Sequence, residues 1–260
     1  MSATTRPLAL ITGATSGIGL ATARLLGRHH TVHIGARGEE NLNSTVKELR
    51  EEGLAVDGTV LDVRSDSSVR AFVKAATERH GEVDVLVNNA GRSGGGVTAD
   101  LPDELWYDVM ETNLNSVFRM TREVLNAGGM RHRSRGRIIN IASTAGKQGV
   151  VLGAPYSASK HGVVGFTKAL GNELAPTGIT VNAVCPGYVE TPMAQRVRAG
   201  YAQAWQTDEE TVLTKFQAKI PLGRYATPEE VAGLVEYLTG DAAAAITAQA
   251  LNVCGGLGNF

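Results

Sequence analysis

The amino-acid sequence predicts an α/β protein, with a doubly wound parallel sheet of about seven strands and helices on both faces. Short runs rich in valine and isoleucine alternate along the chain with amphipathic stretches of helical length. Most of these runs are apolar almost throughout, which is typical of parallel strands buried on both faces. The first run leads directly into a glycine-rich turn and then a helical pattern. We therefore expect one domain over residues 1–260.

Strands and helices alternate along most of the chain. Apolar runs predict strands at 8–12, 31–36, 56–63, 83–88, 137–141, 180–185 and 250–253. Amphipathic patterns predict helices at 17–26, 39–52, 67–80, 102–127, 155–174 and 228–238. The last helix has the clearest start, because Thr227, Pro228 and Glu230 suit the N-cap, the first and the third helical positions.

Residues 188–224 interrupt this alternation with a polar segment that is helical in places. Segments beside the strand ends of such a sheet commonly cover the substrate and determine specificity. We therefore expect a mobile substrate lid here, and a plain surface insertion is the alternative.

Composition excludes several classes of protein. With 260 residues and a formal net charge of −1, the chain shows no overall basic character that would suit nucleic acid. Cys185 and Cys254 each end an apolar run and show no Cys-x-x-Cys spacing, so we expect buried thiols, a reducing compartment and no metal site. The first residues lack the apolar core of a signal peptide, and no apolar stretch reaches the roughly 18 residues of a transmembrane helix. A cytoplasmic location follows as an expectation.

The turn after the first strand indicates a dinucleotide site. Strand 8–12 continues into Gly13-Ala-Thr-Ser-Gly17-Ile-Gly19 and then a helix. Glycines at such a turn let the backbone approach a pyrophosphate, whose charge is favoured by the helix N-terminus. The spacing is Gly-x-x-x-Gly-x-Gly, which differs from the common Gly-x-Gly-x-x-Gly. The candidate cofactor residues in this turn are Gly13, Thr15, Ser16, Gly17, Ile18 and Gly19.

The ends of the next strands refine the cofactor prediction. An NAD enzyme commonly carries a carboxylate after the second strand, whereas this chain has Arg37, whose guanidinium suits a 2′-phosphate. Glu39 and Glu40 follow closely, but we expect NADPH in preference to NADH. Asp62 and Val63 close the third strand, where the adenine would lie. Asn88 ends the fourth strand and is a candidate site residue there. The equal alternative is that its side chain only forms a local turn by bonding nearby backbone groups.

Tyr156 and Lys160 indicate acid–base chemistry. At positions i and i+4 they share one helix face, and Ser143 lies thirteen residues upstream. A nearby ammonium favours the phenolate and is expected to lower the pKa of Tyr156, so that the tyrosine could exchange a proton with a substrate oxygen. Alone, such a pair is common and has no chemical meaning; its context gives it one.

Together these motifs resemble the short-chain dehydrogenase/reductase family, which has the Rossmann fold. The resemblance is carried by residues 12–19, 88–91, Asn113, Ser143, Tyr156, Lys160 and 186–191. It implies that Tyr156 is the general acid/base, that Ser143 binds the substrate oxygen, and that Lys160 binds the nicotinamide ribose. It also implies that Asn113 holds a water linked to Lys160. Further cofactor contacts are implied at Asn89, Gly91, Pro186, Gly187, Val189 and Thr191.

Residues 142–150, 155–168 and 248–259 are similar, more narrowly, to ketoreductases of bacterial aromatic (type II) polyketide synthases. That resemblance implies an NADPH-dependent homotetramer that reduces one ketone of a poly-β-ketone on an acyl carrier protein. Those enzymes have Pro-Gly-Gly where this chain has Ser93-Gly94-Gly95, and serine does not stiffen a loop as proline does. Stereochemistry and preferred substrate therefore stay open. The candidate substrate residues are Ser93, Gly94, Gly95, Gln148, Val150 and Tyr201.

Three arginines, Arg37, Arg64 and Arg92, follow strand ends on the expected cofactor side. We expect some of them to form a basic rim that receives the phosphopantetheine arm of the carrier protein. Ordinary surface charge is the alternative. Two other functions compete with the polyketide interpretation: a 3-oxoacyl carrier protein reductase or other alcohol or sugar dehydrogenase, and a redox sensor without turnover.

Overall fold

Seven parallel strands form one sheet in the computed structural model, which describes residues 6–258 and 260. The strands are β1 (Leu8–Thr12), β2 (Thr31–Ala36), β3 (Val56–Val60), β4 (Val83–Asn88), β5 (Gly136–Ile141), β6 (Ile179–Pro186) and β7 (Ala250–Val253). Their order is β3-β2-β1-β4-β5-β6-β7, so the direction of winding reverses between β1 and β4. The fold class predicted from the sequence is confirmed. Residues 1–5, where no signal peptide was expected, and Asn259, at the end of one similar stretch, lie outside the described residues.

Helices cover both faces of this sheet. They are α1 (Gly17–Leu26), α2 (Glu39–Glu51), α3 (Asp66–His80), α4 (Asp103–Met110), α5 (Ser116–Asn126), α6 (Ala154–Leu174), α7 (Pro192–Trp205), α8 (Glu209–Gln217) and α9 (Pro228–Thr239). Alternate residues of β1 serve the two faces, as the two-residue period of a strand requires. Ala9 and Ile11 pack in the layer of α1, α2 and α9, while Leu8 and Leu10 pack in the layer of α3, α5 and α6. No helix in the described part of the chain has the length and apolar character needed to span a bilayer.

Two predicted elements differ from the structure. The predicted helix 102–127 is interrupted, because Glu111–Asn115 forms a π-helical turn between α4 and α5. Such turns insert one extra residue per turn and commonly occur at functional sites. The strand predicted at 56–63 ends at Val60, after which Asp62 turns back to accept a hydrogen bond from the Arg64 amide. The other strands and helices lie within about one residue of their predicted ends, as is usual for element boundaries.

The segment 188–224 contains α7 and α8, which share a small apolar core of their own. Phe216 is buried there and its ring stacks on Tyr188 at 4.8 Å between centroids, while Tyr201 meets Phe216 edge-on at 5.1 Å. Aromatic packing of this kind contributes beyond burial alone. This segment is therefore an ordered helical pair beside the ends of β6 and β7, and not a long irregular loop.

We expect Thr227→Ala to lower the stability of the fold by about 1 kcal/mol, which is typical for loss of an N-cap. The Thr227 hydroxyl accepts a hydrogen bond from the Glu230 amide at 3.3 Å, and the Glu230 carboxylate accepts one from the Thr227 amide at 2.9 Å. The Arg224 guanidinium also pairs with that carboxylate and, with the Thr227 amide, lowers the pKa of Glu230 to about 2. Chemical denaturation measures the change. Thr227→Ser keeps the hydroxyl and should restore the stability; equal losses in both variants would contradict the capping account.

Candidate active site

The predicted site residues meet at the carboxyl ends of the central strands. The glycine turn follows β1, Asn89 and Gly91 follow β4, Ser143 follows β5, and Thr191 follows β6. In an open α/β sheet this edge, where the strand order reverses, is where ligands bind. The topology therefore brings together motifs that lie up to about 180 residues apart in the chain.

The three glycines of the turn leave no space for a side chain at their positions. Gly13 and Gly17 have φ values of +66° and +54°, which favour glycine. A Cβ on Gly13 would lie 2.9 Å from the Ala90 Cα, and a Cβ on Gly19 would lie 2.4 Å from the carbonyl oxygen of Gly13. The bare backbone and the start of α1 thus form a cradle that a pyrophosphate can approach closely, so the residues present fit a dinucleotide.

Asn89, directly after β4, stabilises the glycine turn by hydrogen bonds. Its Nδ2 donates to the carbonyl oxygens of Thr12 and Gly13, both at 2.9 Å, so its amide is used within the protein. The Thr12 hydroxyl in turn accepts hydrogen bonds from the amides of Asn89 and Ala90, at 3.0 and 2.9 Å. Thr12 is a positioning residue that sequence reasoning missed, because only its contact with another strand reveals the role.

The start of α1 offers free backbone donors within the described structure. Ser16 is the N-cap residue, yet its hydroxyl accepts no hydrogen bond from the helix amides, and the first turn holds no acidic side chain. The dipole and the amides of this terminus are therefore available to an anion. Thr15 and Ile18 are partly buried beside it.

The residues predicted at the adenosine end lie at the ends of β2 and β3. Arg37 is exposed directly after β2, where it can meet a ribose phosphate. Asp62 is half-buried, and its carboxylate pairs with Arg64 at 2.8 Å, which lowers the pKa of Asp62. Val63 is buried in the apolar layer below.

The Tyr156, Lys160 and Ser143 side chains form a compact polar group within apolar surroundings. Lys160 is buried on α6, 5.8 Å from the Tyr156 ring centroid, and its Nζ donates to the Ile141 carbonyl oxygen at 2.8 Å. Ser143 is buried at the end of β5, its hydroxyl accepts a hydrogen bond from the Ala145 amide at 3.1 Å, and it lies close enough to the Tyr156 hydroxyl to influence the pKa of that phenol. The two hydroxyl groups therefore lie close to each other and to Lys160.

Burial determines the ionisation of this group. It raises the pKa of Tyr156, and the neighbouring Ser143 hydroxyl only partly counteracts this effect. Burial also lowers the pKa of Lys160 to about 8. The sequence predicted that Lys160 would lower the pKa of Tyr156, and this direction is wrong for this structure, because the loss of hydration of the phenol raises the pKa. A raised pKa keeps Tyr156 protonated at neutral pH, which is the state that a proton donor needs.

Asn113 lies in the π-helical turn and is fully buried. Its Oδ1 accepts a hydrogen bond from the Arg92 amide at 2.8 Å, and its Nδ2 donates to the Arg92 carbonyl oxygen at 3.0 Å and to the Ser159 hydroxyl at 3.1 Å. A Cβ on Gly91 would lie 3.3 Å from the Asn113 Oδ1 and 3.7 Å from the Lys160 Nζ. Asn113 therefore ties the strand-end loop 91–93 to α6 beside the lysine. After Thr12, Ser159 is a second positioning residue that sequence reasoning missed.

The segment after β6 closes the other side of the cradle. Pro186 ends β6, Gly187 packs against Cys254, and Val189 forms a backbone bridge with Ala226. Thr191 is the N-cap of α7, and its hydroxyl accepts a hydrogen bond from the Ala194 amide. A Cβ on Gly17 would lie 3.0 Å from the Thr191 methyl group, so the glycine turn and this segment face each other across a narrow space. Both cysteines are buried free thiols, as predicted.

Three segments surround the outer opening of the site. Gly94 packs on Val109, and the Gly96 amide donates to the Leu152 carbonyl oxygen at 2.8 Å, which joins loop 92–97 to loop 147–153. The hydroxyl of Tyr201, in α7, donates a hydrogen bond to the Val151 carbonyl oxygen at 3.1 Å. The predicted substrate residues Ser93, Gly94, Gly95, Gln148, Val150 and Tyr201 all lie in these three segments.

The predicted basic rim carries less free charge than three arginines would suggest. Arg64 and Arg92 both form ion pairs with Asp108, and Arg64 also pairs with Asp62. Two carboxylates thus compensate two guanidinium groups. Ion pairs at such exposed positions contribute little free energy.

The sequence profile of the family described as short chain dehydrogenase matches residues 7–202. The chain belongs to the short-chain dehydrogenase family. A Streptomyces virginiae protein assigned as the ketoacyl reductase of the monensin polyketide synthase is 76% identical, over the full length of both chains. The 3-oxoacyl-[acyl-carrier-protein] reductase of Escherichia coli strain K12 is 38% identical, with 96% of each chain covered.

A solved structure of this family has nearly the same fold. A tryptophan variant of actinorhodin polyketide ketoreductase, crystallised with NADPH, is 63% identical and superposes with a TM-score of 0.97 over the whole of both chains. This short-chain dehydrogenase therefore shares its architecture, and not only its motifs, with a polyketide ketoreductase.

Proposed function

We propose that this short-chain dehydrogenase is an NADPH-dependent ketoreductase that reduces one ketone of a poly-β-ketone to a secondary alcohol in polyketide biosynthesis. The observation that carries the proposal is the convergence of the Ser143 and Tyr156 hydroxyls beside buried Lys160, at the edge of the sheet that holds the glycine cradle. Relatives named as polyketide ketoacyl reductases support the substrate class.

Each residue then has a definite task. Bound NADPH would supply the hydride, held by the glycine cradle, Arg37, Lys160 and the Val189–Thr191 backbone. Ser143 and Tyr156 donate hydrogen bonds to the ketone oxygen, where negative charge develops as the carbonyl is reduced. Tyr156 gives its proton to that oxygen, and Lys160, held by the Ile141 carbonyl oxygen, positions the ribose and remains next to the phenol. We assign to Asn113 the water that reprotonates the pair.

The substrate class is tested by measuring NADPH consumption with a rigid bicyclic ketone and with an acetoacetyl thioester. A higher kcat/KM for the bicyclic ketone supports a polyketide reductase, whose substrate is bulky and partly folded. A preference for the short thioester would instead favour a 3-oxoacyl carrier protein reductase, the activity named for the Escherichia coli relative. Turnover of neither compound, with NADPH still bound, would favour a redox sensor.

We expect Arg37→Ala to raise the KM for NADPH about 10-fold or more and to leave the KM for NADH unchanged. The exposed guanidinium after β2 would lose a charge-assisted contact with the 2′-phosphate, and such contacts are worth about 1.5–3 kcal/mol. Steady-state kinetics with both cofactors measure the effect. The control is Arg28→Ala, which removes an exposed arginine just before β2, at the amino-terminal ends of the strands and away from the predicted cofactor site. Equal changes for the two cofactors would refute the 2′-phosphate assignment.

A carrier-bound substrate is the finer part of the proposal. We expect Arg92→Ala to raise the KM for a ketone on an acyl carrier protein several-fold more than the KM for a free ketone. The phosphopantetheine phosphate would compete with Asp108 for Arg92, as the exposed pair permits. Arg24→Ala is the control, because Arg24 is similarly exposed and pairs with two glutamates between α1 and α2. Equal effects of Arg92→Ala on both substrates would count against docking at this rim.

Two further parts of the proposal concern the context of the enzyme. We take the working form to be a homotetramer in the cytoplasm, with residues 188–224 acting as the substrate lid of a single domain. Sedimentation of the purified chain tests the tetramer, and a monomer with full activity would exclude it.

A further inference from the structure

Three ligand side chains meet near the amino-terminal ends of β2 and β3, away from the candidate active site. His33 in β2 is paired in register with Asp57 in β3, and His80 is the last residue of α3. One ring nitrogen of each histidine and one carboxylate oxygen of Asp57 lie within 4.8 Å of one another. Because the three residues come from three elements, no spacing in the sequence indicated this group.

Two ring nitrogens in this group are buried and unsatisfied. His33 is fully buried; its Nε2 lies 3.0 Å from the Thr59 hydroxyl, while its Nδ1 has no hydrogen-bond partner among the described residues. The Nε2 of His80 is also buried without a hydrogen bond in the described structure, 3.5 Å from the Asp57 Oδ2. Buried polar atoms nearly always form a hydrogen bond or bind an ion. Two buried nitrogens without a hydrogen bond, both beside one carboxylate, therefore indicate a ligand bound between them.

The surroundings resemble the outer contacts of a metal site. A hydrogen bond from the His33 Nε2–H to Thr59 would leave the lone pair of Nδ1 free, and such bonds orient metal-binding histidines.

Two arginines compete with a cation for Asp57. The Arg79 Nη1 lies 2.6 Å from the Asp57 Oδ2, and the Arg50 Nη2 lies 3.4 Å from the Oδ1. Both arginine side chains are more than half exposed, so either can turn into solvent when a cation binds. Arg79 therefore lowers the affinity of Asp57 for a cation without preventing binding. Removing the Arg79 charge should raise that affinity, which can be measured.

We propose that His33, Asp57 and His80 bind one divalent transition-metal ion of the zinc class, with water completing a tetrahedral shell. Two imidazole nitrogens and a carboxylate oxygen suit Zn²⁺ or Co²⁺ and do not suit Mg²⁺ or Ca²⁺. The ion would tie the edge strands β2 and β3 to the end of α3. This site is independent of the proposed reductase activity.

The test uses the untagged full chain, stripped with a chelator and titrated with Zn²⁺ in a calorimeter and with Co²⁺ in a spectrophotometer. We expect one ion per chain and the visible bands of tetrahedral Co²⁺. His80→Gln and Asp57→Asn should each lower the affinity at least about 10-fold, since each removes a ligand. Arg79→Gln should raise the affinity, because it removes the competing charge. His29→Gln, which changes an exposed histidine outside the group, should have no effect.

Several results would overturn the proposal. Absence of stoichiometric binding to the wild-type chain would do so, as would Co²⁺ bands that persist unchanged in His80→Gln. Weaker binding in Arg79→Gln would contradict the assigned ligand Asp57. Thermal unfolding and NADPH-dependent turnover of each variant show that it is folded, and His80 is only partly buried at a helix end, so its replacement should be tolerated.

Discussion

Tyr156→Phe should lower kcat about 10²- to 10⁴-fold and leave the affinity for NADPH nearly unchanged. The variant keeps the partly buried ring beside Lys160 and loses only the hydroxyl that donates the proton and one hydrogen bond to the ketone oxygen. Steady-state kinetics with saturating NADPH and ketone give kcat, and fluorescence titration gives the cofactor affinity. The control is Tyr237→Phe, which removes an exposed hydroxyl from α9.

The pH profile adds a second readout for the same residue. Reduction needs protonated Tyr156, and burial raises the pKa of this phenol, so activity should persist through neutral pH and fall only in the alkaline range. The residual rate of Tyr156→Phe should lack the fall due to this group. Unchanged turnover in Tyr156→Phe would refute the role of Tyr156 as proton donor, whatever the pH.

Gly19→Ala should lower the affinity for NADPH at least about 10-fold and cost about 1–3 kcal/mol of stability, as overpacking commonly does. The new methyl group would lie 2.4 Å from the Gly13 carbonyl oxygen, 2.5 Å from the Asn89 Nδ2 and 2.9 Å from the Ala14 Cα. Two of these neighbours are backbone atoms, so the turn must move, and with it the amides that would face the pyrophosphate.

The matched control is Gly233→Ala, another glycine within a helix. A Cβ at Gly233 meets nothing within 4 Å, so the stability should be unchanged or higher by up to about 1 kcal/mol, the difference in helix propensity. Titration with NADPH and denaturant unfolding measure both variants. Wild-type NADPH affinity in a folded Gly19→Ala would mean that the cofactor does not lie against this turn.

Much of the fold was predictable because its signals are local. The apolar runs of β1, β4 and β6 and the capping box of Thr227 and Glu230 lie within a few residues, so periodicity and spacing are enough to find them. The interruption at Glu111–Asn115 was not predictable, because the amphipathic pattern continues through it. The turn is held by Asn113, whose partners Arg92 and Ser159 lie far away in the chain.

The candidate site divides in the same way. The chemical types of Ser143, Tyr156 and Lys160 and the glycine turn were visible in the sequence, since each motif is short. Whether these groups share one space depends on strand order, and this became clear only when β1, β4, β5 and β6 were seen side by side. The brace formed by Thr12 and Asn89 depends on that adjacency and has no local signal.

By itself, the sequence determined the order and kind of the elements, the glycine cradle, and the side chains capable of proton transfer, because these depend on neighbouring residues. The tertiary structure decided the direction of the Tyr156 pKa, the pairing of Arg64 and Arg92 with Asp108, and the meeting of His33 with Asp57 and His80. Hydration lost on burial and charges brought together by folding determine these properties, and neither is a property of the chain before it folds.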